Sequence, residues 1–290
     1  MTSSVFKLVA LDMDGTLLNN KHEISEKSAE VLRKLADSGV IVSIATGRSS
    51  GSVTQYVTGA LEGLNQAVFP MVCFNGSVCL IREQRSGETK TLFKNVLTRE
   101  AVVELIAATK EQELVLQFYN GETGEVFVNP EPGNEEHAQL VDRYAKLVGK
   151  QQTVVDRENG YDSLMDSGVY PVKILALTPE SRVDDVMQRE LSVNLHKIRG
   201  SPFPFFVEYL MPHNTKGTAI EHLCKHLGIS LSEVVAFGDG ENDAEMLEAV
   251  GKGVAMKNGR PKAKASASEI TEFTNDEDGV ALHLEKLFNL

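Results

Sequence analysis

The 290-residue sequence is poor in cysteine, in long apolar runs and in positive charge. Its three cysteines, Cys73, Cys79 and Cys224, form an odd set with no CxxC spacing. That excludes a disulfide-stapled framework and fits a reducing compartment. No apolar segment approaches the ~20 residues that a membrane-spanning helix needs. The opening Met-Thr-Ser-Ser runs into a strand-like stretch at Val5 without the basic and apolar regions of a signal peptide. A cytoplasmic protein with no membrane partner is therefore expected. Lys and Arg number 29 against 41 Asp and Glu, a net charge of −12. Such a balance disfavours nucleic acid and anionic lipid, which are held by summed Lys and Arg contacts. A small phosphorylated molecule remains compatible, because one local pocket can oppose the global sign. Internal repeats and low-complexity tracts are also lacking. The nearest candidate, residues 259–268 (GRPKAKASAS), reads as a helix with a solvated Lys face.

With 42% hydrophobic and 24% charged residues, the composition is that of a globular protein of about two domains. Residues 5–11 (VFKLVAL) form a nearly continuous apolar run, the signature of a parallel strand covered on both faces. A helix is expected from Glu26, with Ser25 as its cap, Ala29, Leu32, Leu35 and Ala36 as its apolar stripe and Gly39 as its stop. A second buried strand at 40–45 ends in Thr46-Gly47-Arg48. A helix to about Leu61 and a strand at 71–74 continue the alternation, which implies a parallel sheet with helices on both faces. The middle third breaks this rhythm. Residues 114–129 (LVLQFYNGETGEVFVN) read as a hairpin. Helices are expected at 98–112, 134–148 and 179–191, and strands at 169–178, 193–198 and 203–210. This predicts an α+β domain at 84–208, entered through polar residues 82–90 and left through 211–214. The core domain, 1–83 and 209–290, is then discontinuous. It resumes with helix 216–227, strand 234–237, helix 243–250 and strand 253–256. Pro202, Pro204, Phe203, Phe205 and Phe206 near the exit form either a hinge or ordinary core, with core favoured.

Asp12 and Asp14, in Asp12-Met13-Asp14-Gly15-Thr16-Leu17-Leu18, follow the first strand, and ligands of open α/β sheets bind beyond the carboxyl ends of strands. Two carboxylates this close repel unless one is protonated or a cation lies between them, and a hard cation such as Mg2+ satisfies them. An Asx turn with a glycine explains any one of these residues but not the set. Thr46 alone reads as a helix cap. Lys216 opens a helix, where a cation is disfavoured unless an anion is also present. His222 and His226, at i and i+4, fall on the solvent side of a helix that buries Ile220, Leu223, Cys224 and Leu227, so a zinc site is not expected. Cys73 and Cys79 flank Asn75-Gly76 as small buried hydrophobes. Asn75 is divided evenly between plain turn chemistry and a substrate contact.

The run DMDGTLL at 12–18 resembles the first motif of the haloacid dehalogenase superfamily. Thr46 after VIVSIA resembles the second motif, Lys216 in Asn-Thr-Lys-Gly the third, and Gly238-Asp239-Gly240-Glu241-Asn242-Asp243 the fourth. GVAM at 253–256 and NDEDGVA at 275–281 are similar to the Cof-type branch, the subfamily IIB phosphatases. The resemblance implies a Rossmann-like core with an inserted α+β cap of the C2 type over the catalytic site. It also implies a Mg2+-dependent phosphatase in which Asp12 is the nucleophile and Asp14 the general acid and base. The dehalogenase branch lacks a carboxylate at the second position, so Asp14 favours phosphoryl transfer. Thr46, Gly47, Arg48, Asn75, Lys216 and Asn242 would bind phosphate or substrate. Asp12, the Asp14 carbonyl and Asp239 would bind the metal, with Asp243 in or just behind its ligand set. Asp243 also suits an acidic turn that caps the next helix. Arg143, Tyr144, Lys173 and Glu208 of the cap are candidates for substrate selection among sugar phosphates, polyol phosphates and phosphorylated cofactors. The rival readings are a phosphomannomutase-like phosphotransferase and a catalytically silent sugar-phosphate sensor. Oligomeric state is not readable.

Overall fold

A computed structural model describes residues 6–149, 151–200 and 203–290. Val5, expected to open the first strand, and Pro202, weighed as hinge or core, lie outside the described residues. The chain divides into two compact units, 1–93 with 214–290 and 94–213. The sequence reading put these breaks at 83/84 and 208/209.

The first unit begins with β1 (Leu8–Leu11), whose four residues are all buried. Helix α1 (Glu26–Asp37) follows. Its cap Ser25 accepts from the Ser28 N–H, and it buries Ala29, Val31, Leu32, Leu35 and Ala36. Strand β2 (Ile41–Ala45) leads to α2 (Ser50–Val57), which stops short of the expected Leu61. Leu61 is buried all the same, in the turn that follows. After β3 (Val68–Cys73) the chain reverses within Phe74–Gly76, where Phe74, Asn75 and Gly76 all have positive φ. That reversal is too short for a parallel crossover, so β4 (Val78–Glu83) runs antiparallel to β3, and β5 (Thr89–Lys94) joins at the edge. Residues 82–90, read as a crossing between domains, are therefore largely the β4–β5 turn, closed by Glu83 N–H to Glu88 O at 2.8 Å.

The second unit opens with α3 (Arg99–Glu111), capped by Thr98. The expected hairpin follows as β6 (Val115–Asn120) and β7 (Val126–Val128), which pair antiparallel. Helix α4 (Glu135–Val148) is capped by Asn134 and ended by left-handed Gly149. The short β8 (Thr153–Val154) and α5 (Gly160–Asp166) were not foreseen, being too brief for periodicity to register. Strand β9 (Pro171–Leu177) precedes α6 (Val183–Gln188), which a separate 3-10 turn at Glu180–Arg182 shortens. Last come β10 (His196–Arg199) and β11 (Phe206–Leu210). The sheet order is β10-β11-β9-β6-β7-β8. Leu105, Leu116, Phe118, Tyr161, Ile174 and Val207 share one core cluster. Phe205 and Phe206 are buried as expected of core residues, whereas Phe203 is exposed.

The chain returns to the first unit through α7 (Lys216–Leu227), whose cap Thr215 and its partner Thr218 form a reciprocal box, with left-handed Gly228 at the far end. Then come β12 (Val234–Gly238), α8 (Ala244–Ala249), β13 (Lys252–Ala255), α9 (Pro261–Ser266), β14 (Glu269–Ile270) and α10 (Gly279–Phe288). The basic stretch is α9, with Ala263 turned inward. Strand order is β14-β13-β12-β1-β2-β3-β4-β5. The crossovers after β1 build toward β2, and those after α7 build from β12 outward on the other side. The carboxyl ends of β1 and β12 thus border the crevice where a doubly wound sheet places its ligand.

Candidate active site

Asp12 and Asp239 are neighbours because their strands are in register. Leu11 lies opposite Phe237, and the Asp12 N–H extends the ladder by donating to Phe237 O at 3.0 Å. Gly15 makes the approach feasible: its φ is +75°, and a Cβ there would lie 2.5 Å from an Asp239 carboxylate oxygen. Thr16 Oγ1 donates to Asp239 Oδ1 at 3.2 Å. From the N-terminus of α7, Lys216 Nζ donates to Asp12 Oδ1 and to Asp243 Oδ1, each at 2.6 Å, with its side chain fully buried. The anions required by a lysine at a helix N-terminus are thus these two carboxylates. The second oxygen of Asp243 accepts from the backbone N–H groups of Asp239 at 3.0 Å and Gly240 at 2.8 Å. Asp243 therefore braces the loop behind it: it stands at the N-cap position of α8 without a side-chain bond to that helix, and its bond from Gly240 N–H closes the capping box of the 3-10 turn Glu241–Asp243 that leads into α8.

Oxygens of Asp12, Asp239 and Asp243 lie within 4.8 Å of one another. Burial pushes the Asp12 carboxyl well up; Lys216 pulls it down, and the charges of Asp243 and Asp239 push it up again. Burial and the neighbouring Asp243 push Asp239 up to about 6. Burial works against the Lys216 ammonium, but Asp12 and Asp243 outweigh it and hold its pKa above the ordinary value. Three carboxylates share one ammonium, which contacts only two of them. An all-oxygen donor set with surplus negative charge fits a hard divalent cation, which would favour the ionised forms.

Asp14 lies apart from this cluster in its contacts. Its carboxylate is half-exposed and gripped by the Arg48 guanidinium at both ends, Nε to Oδ2 at 2.7 Å and Nη2 to Oδ1 at 2.5 Å. Arg48 also reaches the Tyr56 hydroxyl at 3.2 Å and lies over the Tyr56 ring. Burial works to raise the Asp14 pKa, but the Arg48 hydrogen bonds and charge prevail and hold it below the usual carboxylate value. His22, which carried no sequence signal, lies 3.6 Å from the same carboxylate. Thr46 is buried at the end of β2, and its Oγ1 accepts from Arg48 N–H at 3.2 Å; the cap of α2 is Ser49, so the helix-cap reading of Thr46 does not hold. Gly47 packs on the Asn75 amide, where a Cβ would come within 3.0 Å, and Asn242 Nδ2 donates to Asn75 Oδ1 at 2.9 Å. Thr46, Gly47, Asn75 and Asn242 are thereby linked along one rim.

Within the second unit, three of the four cap candidates meet. Lys173 pairs with Glu208 at 3.0 Å, and its ammonium sits 4.8 Å from the ring of Tyr119, whose hydroxyl donates to Tyr144 at 2.9 Å. Tyr119 was missed, although the alternation of β6 puts it on the face that carries Gln117. Arg143 instead pairs with Glu180 and covers Phe205. His222 and His226 are exposed, as expected for a surface pair. The three cysteines are free and buried, and burial pushes the Cys79 thiol up to about 12 and that of Cys224 to about 11. Among the described residues no helix is long and apolar enough to cross a membrane.

This crevice, with its buried carboxylates and lysine, is that of a phosphoryl-transfer hydrolase fold. The family profile of haloacid dehalogenase-like hydrolases matches residues 9–284, and the chain belongs to that family. It is a phosphatase of the Cof type. The chain is 31% identical to a putative phosphatase of Streptococcus pyogenes, over 97% of both proteins. It is 28% identical to the 5-amino-6-(5-phospho-D-ribitylamino)uracil phosphatase YitU of Bacillus subtilis, over 98% of both. A haloalkanoate-superfamily phosphatase, BT1666 from Bacteroides thetaiotaomicron, superposes with a TM-score of 0.79 at 26% identity, covering 100% of this chain and 97% of that one.

Proposed function

We propose that the protein hydrolyses a small phosphomonoester in two steps through an aspartyl-phosphate on Asp12, with Mg2+ as its cofactor. The observation that carries this reading is the buried Asp12 carboxylate, bonded to Lys216 and crowded by Asp239 and Asp243. In the first step an Asp12 oxygen attacks phosphorus, the bond from phosphorus to the leaving oxygen breaks, and Asp14 supplies a proton to that oxygen. In the second, water attacks the acyl phosphate, Asp14 accepts the water's proton, and inorganic phosphate leaves with Asp12 restored. The Arg48 pairing favours the ionised Asp14 that the second step uses; the first step requires a protonated Asp14 carboxyl released from Arg48 toward the leaving oxygen. Lys216 and the Thr46-Gly47 turn would hold phosphoryl oxygens, with Asn75 and Asn242 beside them. Asp12, Asp239 and the Asp14 carbonyl would hold Mg2+, with Asp243 orienting Lys216 and the loop at 239–240. The ion supplies charge neutralisation for the phosphoryl group. A small phosphorylated metabolite is the substrate class, in line with the ribitylaminouracil phosphate named for one relative.

Phosphate release from p-nitrophenyl phosphate and from a panel of sugar, nucleotide and cofactor phosphates tests the reading. Turnover should require Mg2+ and vanish in Asp12→Asn, which preserves shape but removes the nucleophile. Absence of turnover with metal across the panel would sink it, and sugar isomerisation without net phosphate release would replace it by the mutase.

A further inference from the structure

The loop that carries Asp12 and Asp14 is closed internally by three backbone bonds: Thr16 N–H to Met13 O at 3.3 Å, Leu17 N–H to Asp12 O at 3.2 Å and Leu18 N–H to Met13 O at 2.8 Å. Two carbonyls of this loop are engaged by side chains some 240 to 260 residues further along the chain. Asn258 Nδ2 donates to Gly15 O at 2.8 Å, and Asn275 Nδ2 donates to Leu18 O at 2.9 Å. The two asparagines are themselves joined, since Asn275 N–H donates to Asn258 Oδ1 at 3.0 Å. The turn that carries Asn258 also grips the other acidic loop. Arg260 N–H donates to Asp239 O at 2.8 Å, and Met256 N–H donates to Gly238 O at 2.9 Å. A Cβ on Gly259 would lie 2.7 Å from Met256 O and 3.4 Å from Asp239 Cα, so this turn follows the Asp239 backbone closely. One short segment therefore has its backbone on Asp239 and its side chain on Gly15, the residue whose lack of a side chain lets the two loops touch.

We infer that Asn258, steadied by Asn275, is a positioning residue that sets the spacing between the nucleophile loop and the Asp239 loop. This deepens the proposed phosphatase reading and rests on it for its kinetic consequence. Neither asparagine hydrogen-bonds the carboxylates of Asp12, Asp14 or Asp239; on the nucleophile loop both bind backbone carbonyls. Asn258 is exposed and Asn275 half-buried, so their bonds add little to global stability, whereas a displacement of about 1 Å at a reacting group costs about a hundredfold in rate.

The test compares Asn258→Ala, Asn275→Ala, the double variant and Asn258→Gln with wild type, using p-nitrophenyl phosphate and Mg2+. Each alanine variant should lose about tenfold or more in kcat while KM and Tm stay near wild type. The double variant should fall short of the product of the singles, because one side chain steadies the other. Asn258→Gln, which keeps donor and acceptor, should recover part of the rate. Hydrogen exchange at the Thr16, Leu17 and Leu18 amides should quicken in both alanine variants, with no need for turnover. Unchanged exchange overturns the inference, as does a kcat that holds or that falls only in step with Tm. Should wild type turn over neither p-nitrophenyl phosphate nor any phosphate of the panel, the phosphatase reading fails, and the exchange rates still decide the brace.

Discussion

Lys216→Met removes one charge from beside three carboxylates, two of them buried, while keeping most of the side-chain volume. In the native protein the ammonium makes two 2.6 Å contacts and has no solvent exposure. Breaking a buried ion pair by deleting one partner costs about 3–5 kcal/mol, because the remaining charge is left uncompensated. Proton uptake limits the loss, at about 1.4 kcal/mol per unit of pKa shift. The sign follows from Asp12. Its folded pKa already lies above 3.8 through burial, so its favourable contribution is present below that value and lost as pH rises through the folded pKa. Lys216 pulls that pKa down, and its removal raises it further and widens the window of destabilisation. The variant should therefore lose about 4 kcal/mol at mildly alkaline pH, a fall of about 7 °C in Tm for a chain of 290 residues, and the deficit should shrink as pH is lowered. Added Mg2+ should raise the Tm of the variant more than that of wild type, because a dication replaces the missing positive charge. Thermal unfolding followed by circular dichroism across this pH range decides the matter. A pH-independent deficit, or a deficit below about 1 kcal/mol, would refute the argument that Lys216 holds the carboxylate cluster together.

Gly76→Ala should destabilise the first unit by about 3 kcal/mol, because φ there is +101° and the new Cβ would lie 2.2 Å from Thr215 O; a denaturation midpoint close to wild type would refute that. In Arg48→Ala, the Asp14 carboxyl should titrate at higher pH than in wild type, since Arg48 overrides burial to hold it low. Asp14's stabilising contribution, present above 3.8 and lost as pH falls through its folded pKa, should shrink in the same variant; an unmoved NMR titration of the carboxyl carbon would exclude the pairing. Tyr119, Tyr144, Tyr161 and Tyr209 are buried, and burial raises all four, Tyr209 to about 12. Their contribution is complete below pH 10 and is lost as pH rises through the folded values. The sequence has no tryptophan, so tyrosinate absorbance reads them directly, and they should ionise together with loss of circular dichroism rather than before it.

Helix α7 was legible to the residue, because Thr215 caps it, Gly228 ends it and its apolar residues recur with helical period. The β6–β7 hairpin and the alternation around β1, β2 and β12 were legible for the same local reason. The antiparallel arm formed by β4 and β5 was not, since its polar turn looks like a linker and its edge strand is largely exposed. In the site, the resemblance of the motifs singled out Asp12, Lys216, Asp239 and Asp243, which the structure brings together, yet gave no sign that Asp243 turns back onto the Asp239 loop or that Arg48 takes hold of Asp14.

Residue order alone determined most of the longer elements, the Ser25 cap of α1 and the positions where chemistry-bearing side chains stand, because propensity, capping and periodicity act within a few residues. The assembly of those side chains was decided only by the tertiary structure. Asp12 meets Lys216 across 204 positions, and Gly15 meets Asn258 across 243. Those contacts arise because strand register and helix packing place distant backbones side by side, and no local pattern in the sequence encodes that distance.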